Sequence, residues 1–223
     1  MTRYDQPLNS FRIEYNNLND SDAKSISDIL SLNYSLKSMS LQGNLITDLG
    51  VKPLACSLIS NNSLRFLDLS FNFLDDAGVE WLAAALMSNS TITALDLTAN
   101  SITAKGAKYL AEVLTRNNTL KTLQLAANNL EDKGAHYIAE GLKINKSLTE
   151  IDLRCSEIHP NGFGIRALKK CLFHHNFKIK VLKLYIPSEK EAWTNPQVQD
   201  IELYVEQTLS LAGDSSSSAE DSL

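Results

Sequence analysis

The chain contains few cysteines and no excess of basic residues, and both facts restrict its function. Only three of its 223 residues are cysteine, Cys56, Cys155 and Cys171. They are odd in number and widely spaced, so we expect free thiols and a reducing compartment. There are 21 Lys and Arg against 26 Asp and Glu, a net charge of -5. Because proteins that bind nucleic acids usually present a basic surface, we expect no nucleic-acid partner and favour a basic protein partner.

Long hydrophobic runs are also missing. A membrane-spanning helix needs about 20 consecutive apolar residues, and no run in this sequence approaches that length. Residues 1–7, MTRYDQP, lack the apolar centre of a secretory signal. We therefore expect no membrane association and a cytoplasmic location. The hydrophobic share of 43% is typical of a globular protein with a buried core.

The sequence offers little catalytic chemistry. Its histidines, His136, His159, His174 and His175, are not predicted to lie beside a cysteine or aspartate, as nucleophilic catalysis requires. Cys171 is close to His174 and His175 in sequence, but zinc sites usually need a second ligand pair at a defined spacing. No G-x-x-x-x-G-K-[ST] phosphate-binding run is present. We predict that the protein is not an enzyme and needs neither metal nor cofactor.

What the sequence does contain is a repeat. The frame L-x-x-L-x-L-x-x-N-x-L recurs every 28 residues, with copies that begin at Leu8, Leu36, Leu64, Ile92, Leu120 and Leu148. The sixth copy has Ser156 in place of the asparagine. A seventh copy begins at Ile179, after 31 residues, and has Pro187 there. One unit cannot bury its own apolar residues, so neighbouring units must stack and share a core.

Each unit is predicted to hold a short strand, a turn and an amphipathic helix of about three turns. Thr47, Asp75 and Thr103 are predicted N-caps. The asparagine of the frame should point inward and bond backbone groups of its own and the adjacent turn. A glycine such as Gly50 or Gly78 should let the helix start pass close to the strand. Another set of asparagines is predicted to adopt the left-handed conformation that ends a helix: Asn33, Asn61, Asn89, Asn117, Asn145 and Asn176.

Strands pack about 4.8 Å apart and helices about 10 Å apart, so the stack must curve. We predict an α/β horseshoe with parallel strands on the concave face and helices on the convex face. Over residues 8–186 the pattern resembles leucine-rich repeats of the ribonuclease-inhibitor-like subtype. That resemblance implies a binding surface on the concave face, and a partner that can be an enzyme whose active site is covered. The seventh unit departs from the pattern, since residues 163–173 carry three extra positions that predict one more helical turn.

The predicted solenoid of about seven units spans residues 1–187. Residues 188–212 are predicted to cap its C-terminal end, because apolar residues of 196–211 recur on one helical face. Residues 213–223 form an acidic, serine-rich tail that we predict to be disordered. The tail has two interpretations: a solvated terminus, or a signal resembling those of effectors that intracellular bacteria inject into a host cell. The second interpretation would place the protein in a host cytosol.

Residues that alternate with the buried leucines should form the binding site on the concave face. Asp68, Asp96 and Asp152 share one column, which either docks a partner's Lys or Arg or is simply solvated. Phe66 and Phe71 have the character of interface anchors. The full set of predicted partner-binding residues is Tyr15, Phe66, Asp68, Phe71, Asp96, Thr98, Gln124, Asp152, Arg154 and Tyr185.

We therefore expect a monomeric interaction scaffold that binds another protein, such as an enzyme with a basic patch, and inhibits or regulates it. The alternative is a GTPase-activating or related regulator of a nucleotide switch, a role that one branch of the resembled family performs. That branch is longer and its tail is far more acidic. A ligase would need a large catalytic domain, and too few residues follow the repeats to form one.

Overall fold

The computed structural model describes residues 8–174 and 178–184, where strands and helices alternate without exception. The seven strands are β1 (Ser10–Arg12), β2 (Ser38–Ser40), β3 (Phe66–Asp68), β4 (Ala94–Asp96), β5 (Thr122–Gln124), β6 (Glu150–Asp152) and β7 (Val181–Lys183). The six helices are α1 (Asp20–Leu32), α2 (Asp48–Ser60), α3 (Asp76–Leu86), α4 (Ala104–Arg116), α5 (Glu131–Ile144) and α6 (Phe163–His174). Within these residues no helix combines the length and the apolar character needed to span a bilayer.

The strands form one parallel sheet in sequence order. Each residue pairs with its counterpart 28 positions later, as Leu67 pairs with Leu95. At β7 the offset becomes 31, and Ile151 pairs with Leu182. The ladder continues beyond the strands, because the Leu41 N–H donates to the Asp68 carbonyl at 2.9 Å. The predicted repeat and its register are confirmed.

The core lies between the sheet and the layer of helices. Leucines of the frame, such as Leu67 and Leu69, are buried with the inward side chains of each helix, such as Val79 and Leu82. All of these side chains belong to one continuous cluster that runs through every unit. The predicted class, an α/β solenoid of parallel strands with helices on the opposite layer, is confirmed.

The asparagines of the frame bond as predicted. The Asn72 amide nitrogen donates to the carbonyls of Leu41, Leu69 and Ser70, and its oxygen accepts the Ile46 N–H at 3.2 Å. Equivalent bonds form at Asn44, Asn100 and Asn128. One side chain therefore satisfies backbone groups in two units where the strand ladder ends.

The second set of asparagines does not adopt the left-handed conformation, so that prediction was wrong. Asn61 has φ -74° and Asn145 has φ -62°. Their amides instead bond across the seam between units, as the Asn61 nitrogen does to the carbonyls of Leu30 and Asn33. The Asn61 oxygen accepts the Leu64 N–H at 2.9 Å. A second asparagine ladder thus links each helix end to the next strand.

The helix starts are capped as predicted, since Thr47, Asp75 and Thr103 each accept an N–H of the first turn. Aspartates at the same starts also bond the following unit. Asp76 accepts the Thr103 N–H at 2.9 Å and the Thr103 hydroxyl at 2.7 Å. At the equivalent place in the fifth unit, Asp132 Oδ1 is buried without a hydrogen-bond partner among the described residues, because His159 replaces the threonine.

The repeated glycine faces the preceding helix start and not the strand, which corrects the prediction. A Cβ on Gly50 would lie 2.9 Å from the Asp20 Cα, and one on Gly78 would lie 3.4 Å from the Asp48 Cα. Two consecutive helix starts therefore approach closely at this position. The glycine supplies space between units, and the amount of space differs from one seam to the next.

The three extra residues of the irregular unit do not add a helical turn. Helix α6 has 12 residues, within the lengths of α3 and α5, which have 11 and 14. It begins later in its unit, after a turn in which the Gly162 N–H donates to the His159 carbonyl at 2.8 Å. Gly162 keeps the 28-residue spacing from Gly134, so the added positions follow it, and α6 is no longer than α5 because it begins four residues later in its unit. Tyr185, Asn176, the predicted cap of residues 188–212 and the tail of residues 213–223 lie outside the described residues.

Candidate functional site

Two columns of side chains occupy the face of the sheet that the helices leave open. Strand pairing aligns the first column as Ser38, Phe66, Ala94, Thr122, Glu150 and Val181. The second column is Ser40, Asp68, Asp96, Gln124, Asp152 and Lys183. The two columns hold five of the ten predicted site residues, but the environments of these five differ: Phe66, Asp68, Asp96, Gln124 and Asp152.

Asp68 is buried, with 8% of its surface exposed, so its prediction as an exposed dock is wrong. Its Oδ1 accepts the Ser70 hydroxyl at 2.6 Å and the Ser70 N–H at 2.9 Å. Its Oδ2 accepts the Ser40 hydroxyl at 3.1 Å. Small hydroxyl side chains of the same and the adjacent unit cover this carboxylate and satisfy it.

Asp152 is also buried, with 2% of its surface exposed, and its prediction as an exposed dock is wrong as well. Arg154 donates to both oxygens of the carboxylate, through Nη2 at 2.6 Å and Nε at 3.0 Å and 3.1 Å. A bidentate guanidinium is the strongest partner that a carboxylate finds among side chains. The cation expected from a partner is therefore supplied by this chain, two residues further on.

Asp96 differs from both. It is half-buried, its Oδ1 accepts the Thr98 N–H at 2.8 Å, and no Lys or Arg of the described residues forms an ion pair with it. Burial raises the pKa of Asp96 above its ordinary value of 3.8, and the negative charges of Asp68 and Asp152 raise it further, against the hydrogen bonds of Thr98. Asp96 is therefore the most exposed carboxylate of the column, with neither the two covering serines of Asp68 nor the arginine of Asp152.

Three polar side chains are linked by hydrogen bonds at the end of the open face formed by β5, β6 and β7. Gln124 donates to Glu150 Oε1 at 3.0 Å, and Lys183 Nζ donates to the same oxygen at 2.9 Å. The Lys183 hydrogen bond lowers the pKa of Glu150, and the same bond raises the pKa of Lys183. Sequence reasoning missed Lys183, because its alignment with Asp152 depends on the 31-residue offset of β7.

The aromatic residues separate into two places. Phe66 lies on the sheet, half-buried, beside the small side chains of Ser38 and Ala94. Tyr15 and Phe71 lie beyond the strands, in turns where their φ angles are 55° and 54°. The structure therefore places Phe66 beside the acidic column and Tyr15 and Phe71 at the edge of the sheet.

Two further exposed apolar residues, Leu45 and Phe73, lie at that same edge. Sequence reasoning missed them because they fill the variable position between the asparagine and the last apolar residue of the frame. The signal was present: the fourth and fifth units have Ser101 and Asn129 at that position.

The thiols do not add a reactive centre to this face. Cys171 is fully buried in the core, and burial raises the pKa of its thiol to about 11. Cys56 and Cys155 are exposed free thiols. Among residues 8–174 and 178–184, no three His, Cys, Asp or Glu side chains are grouped to hold a metal ion.

Comparison with known protein families is decisive for the fold. Residues 60–83, 88–111 and 116–139 each match a family model described as Leucine Rich repeat. The fold is a leucine-rich-repeat solenoid. Such solenoids generally serve as protein-binding scaffolds rather than enzymes.

One of the solved structures to which this chain is similar shares its fold. The structure titled "Leiomodin-1 Actin-Binding Site 2 (ABS2)" has a TM-score of 0.55 at 23% identity, over 68% of this chain and 88% of that chain. The crystal structure of a Pollen Receptor Kinase 3 has a TM-score of 0.40 at 15% identity, over 71% of this chain and 67% of that chain. No curated protein sequence matches the chain.

Proposed function

We propose that the solenoid binds a partner protein on its concave face, with Asp96 and Phe66 at the centre of the contact. The observation that carries the proposal is the unpaired carboxylate of Asp96, half-buried beside Asp68. Burial raises its pKa, so a partner's Lys or Arg would relieve an existing cost. Phe66 provides an apolar anchor next to it, since aromatic side chains dominate the energy of many interfaces.

The other predicted residues take different parts in this proposal. Thr98 and Gln124 border Asp96 and offer hydrogen bonds to the partner. Asp68 adds a second negative charge beside Asp96, and the Asp152–Arg154 ion pair fixes the shape of the face without adding net charge. A basic partner is expected, because complementary potentials accelerate encounter and exclude partners of like charge.

A double variant tests the proposal. Phe66→Ala combined with Asp96→Lys removes the anchor and reverses the charge at the centre of the face. We expect it to abolish capture of the partner that the parent chain retains, while cooperative thermal unfolding shows that the variant is folded. Glu112→Lys makes the same charge change on an exposed helical residue and should leave capture intact. Equal capture by the double variant and Glu112→Lys would refute the concave site.

Actin is a suitable first probe for this assay. The leiomodin-1 structure is titled as an actin-binding site. At 23% sequence identity, the comparison with this chain indicates a shared fold only. Co-sedimentation of the chain with filamentous actin, compared with the double variant, gives a direct result. We further propose that the chain acts as a monomer and in the cytoplasm, and sedimentation of the purified protein checks the first of these.

The proposal extends to regulation of the partner. If the captured protein is an enzyme, its Lys or Arg beside Asp96 would lie on the face that the solenoid covers, and inhibition should then follow the same double variant. The nucleotide-switch role and the effector role each need a separate test. Accelerated GTP hydrolysis by a small GTPase would support the nucleotide-switch alternative, and translocation that depends on residues 213–223 would support the effector role.

A further inference from the structure

Four large apolar side chains are exposed along the edge where the strands end in units one to three. Tyr15, Leu45, Phe71 and Phe73 expose 65%, 45%, 49% and 58% of their surface. We call this set the exit-edge patch. Equivalent positions of the fourth and fifth units hold Ala99, Ser101, Ala127 and Asn129. Among units one to six, large apolar residues occur at these positions only in the first three.

The backbone holds the exit-edge patch in a fixed arrangement. The Tyr15 N–H donates to the Gln42 carbonyl, and the Gly43 N–H donates to the Ser70 carbonyl, so residues 15, 43 and 71 follow one another across three units. The Tyr15 ring lies against Gly43, where any Cβ would collide with it. Because Gly43 has no side chain, the Tyr15 ring covers its backbone and lies in the row that leads to Phe71. Leu45 and Phe73 come two residues after Gly43 and Phe71 in the same turns.

The segments that carry the exit-edge patch, each taken with the helix start that follows it, are acidic in sequence. Residues 13–22, 41–50 and 69–78 hold six acidic residues and no Lys or Arg: Glu14, Asp20, Asp22, Asp48, Asp75 and Asp76. The matching segments of units four to six, 97–106, 125–134 and 153–162, hold three acidic and three basic residues. An apolar patch with an acidic border fits a segment whose apolar side chains are flanked by Lys or Arg.

We propose that the exit-edge patch is a second docking surface, which binds a basic amphipathic segment of a partner protein. The segment's apolar side chains pack against the exposed side chains of Tyr15, Leu45, Phe71 and Phe73, and its Lys or Arg side chains reach the acidic border. The aromatic rings also favour cations that approach their faces. This surface lies on the turns beyond the strands, so it does not use Asp96 or the centre of the concave face.

A labelled peptide tests the proposal without knowledge of the natural partner. The probe is an amphipathic peptide of about 18 residues, five helical turns, made of Leu and Lys only, with fluorescence anisotropy as the readout. Phe71→Ala with Phe73→Ser copies unit four into unit three and keeps residue types that the same turns already carry. We expect this double variant to bind the peptide about tenfold or more weakly, as loss of central anchors does.

Matched controls separate this surface from others. Ile144→Ser removes a side chain that exposes 58% of its surface, as Phe73 does, at the end of α5, and should not change binding. Asp96→Asn should not change it either, so this test and that of the concave site can fail independently. A peptide with Glu in place of Lys should not bind, and added salt should weaken the Lys peptide.

Three outcomes would overturn the proposal. The first is equal binding by the double variant and by Ile144→Ser. The second is equal binding of the Lys and Glu peptides, which would remove the role of the acidic border. The third is a concentration-dependent dimer of the parent chain that the double variant abolishes in sedimentation, because a second copy would then be the occupant.

Discussion

At the scale of single residues, three aspartates at one position of the repeat show how neighbours decide what a side chain can do. Asp68 is satisfied by two serines and Asp152 by an arginine. Asp96 has Thr98 for hydrogen bonds but no cation. The repeat predicts one column of carboxylates, yet only the middle one remains available for a partner.

This difference makes stability depend on pH. The pKa of Asp96 is raised by burial above its ordinary value of 3.8, so the charged carboxylate costs the folded state free energy at neutral pH and the protonated form does not. We expect Asp96→Asn to raise the Tm at pH 7. The gain should shrink as the pH falls through the folded pKa and vanish below 3.8. Thermal unfolding over a pH series measures it, and a gain that persists at low pH would contradict the assignment.

Glu150→Gln serves as a control, because its expected effect on the Tm at pH 7 is opposite to that of Asp96→Asn. The pKa of Glu150 is lowered, mainly by the hydrogen bond from Lys183, below its ordinary value of 4.5. Its ionised form therefore stabilises the fold above that pH, and the contribution disappears as the pH falls through the lowered pKa. Glu150→Gln should lower the Tm at pH 7 and have less effect in acid.

At the scale of elements, the two asparagine ladders form side-chain hydrogen bonds that join each unit to the next. Asn72→Ala would leave the carbonyls of Leu41, Leu69 and Ser70 and the N–H of Ile46 without this partner. A loss of about 2–4 kcal/mol in the free energy of unfolding is expected, because these groups are buried. Denaturation in urea measures it.

Asn16→Ala is the matched control. Asn16 holds the same frame position in the first unit, but it is exposed, and its side-chain amide donates to the nearby Glu14 carbonyl. Its replacement should cost under about 1 kcal/mol. Equal losses at Asn16 and Asn72 would mean that the bonds across units contribute little.

Two helical glycines, Gly78 and Gly141, allow a second comparison of variants at this scale. A Cβ at Gly78 would have its nearest neighbours at 3.4–3.5 Å, an ordinary contact, whereas one at Gly141 would lie 2.8 Å from the Ala111 carbonyl oxygen. Gly78→Ala should stabilise the protein by up to about 1 kcal/mol, since alanine loses less entropy in a helix. Gly141→Ala should destabilise it by about 1–3 kcal/mol through overpacking. Denaturant unfolding compares them, and the same sign for both would contradict the spacing.

The sequence predicted the elements better than their junctions. The 28-residue period predicts the strands, the helices, the caps and the inward asparagines, because each depends on residues within one unit. Three features depend on which residues the adjacent unit places opposite them: the conformation of Asn61, the contact that Gly50 makes and the start of α6. The 28-residue period does not predict such contacts between units.

At the scale of the whole molecule, the fold class followed from the sequence, but the candidate sites only partly did. Alternation predicted which residues leave the core. It did not predict that Asp68 and Asp152 would be covered, since that depends on the rotamers of Ser40, Ser70 and Arg154. It also did not separate the edge, where Phe71 lies, from the face, where Phe66 lies, because the left-handed turn after each strand is not encoded by a glycine except at Gly43.

The constant offset between strands has a consequence for length. Removal of residues 64–91 takes away one full period, so Ser63 would precede Ile92 as Thr91 does now. Asp48 would then meet Thr103, a pairing that Asp76 already makes. We expect the shortened protein to fold cooperatively, with an m-value reduced roughly in proportion to the surface lost; failure to fold would contradict this. A gene that gained or lost such a segment by unequal exchange would encode a longer or shorter solenoid in which neighbouring units still pair in the same register.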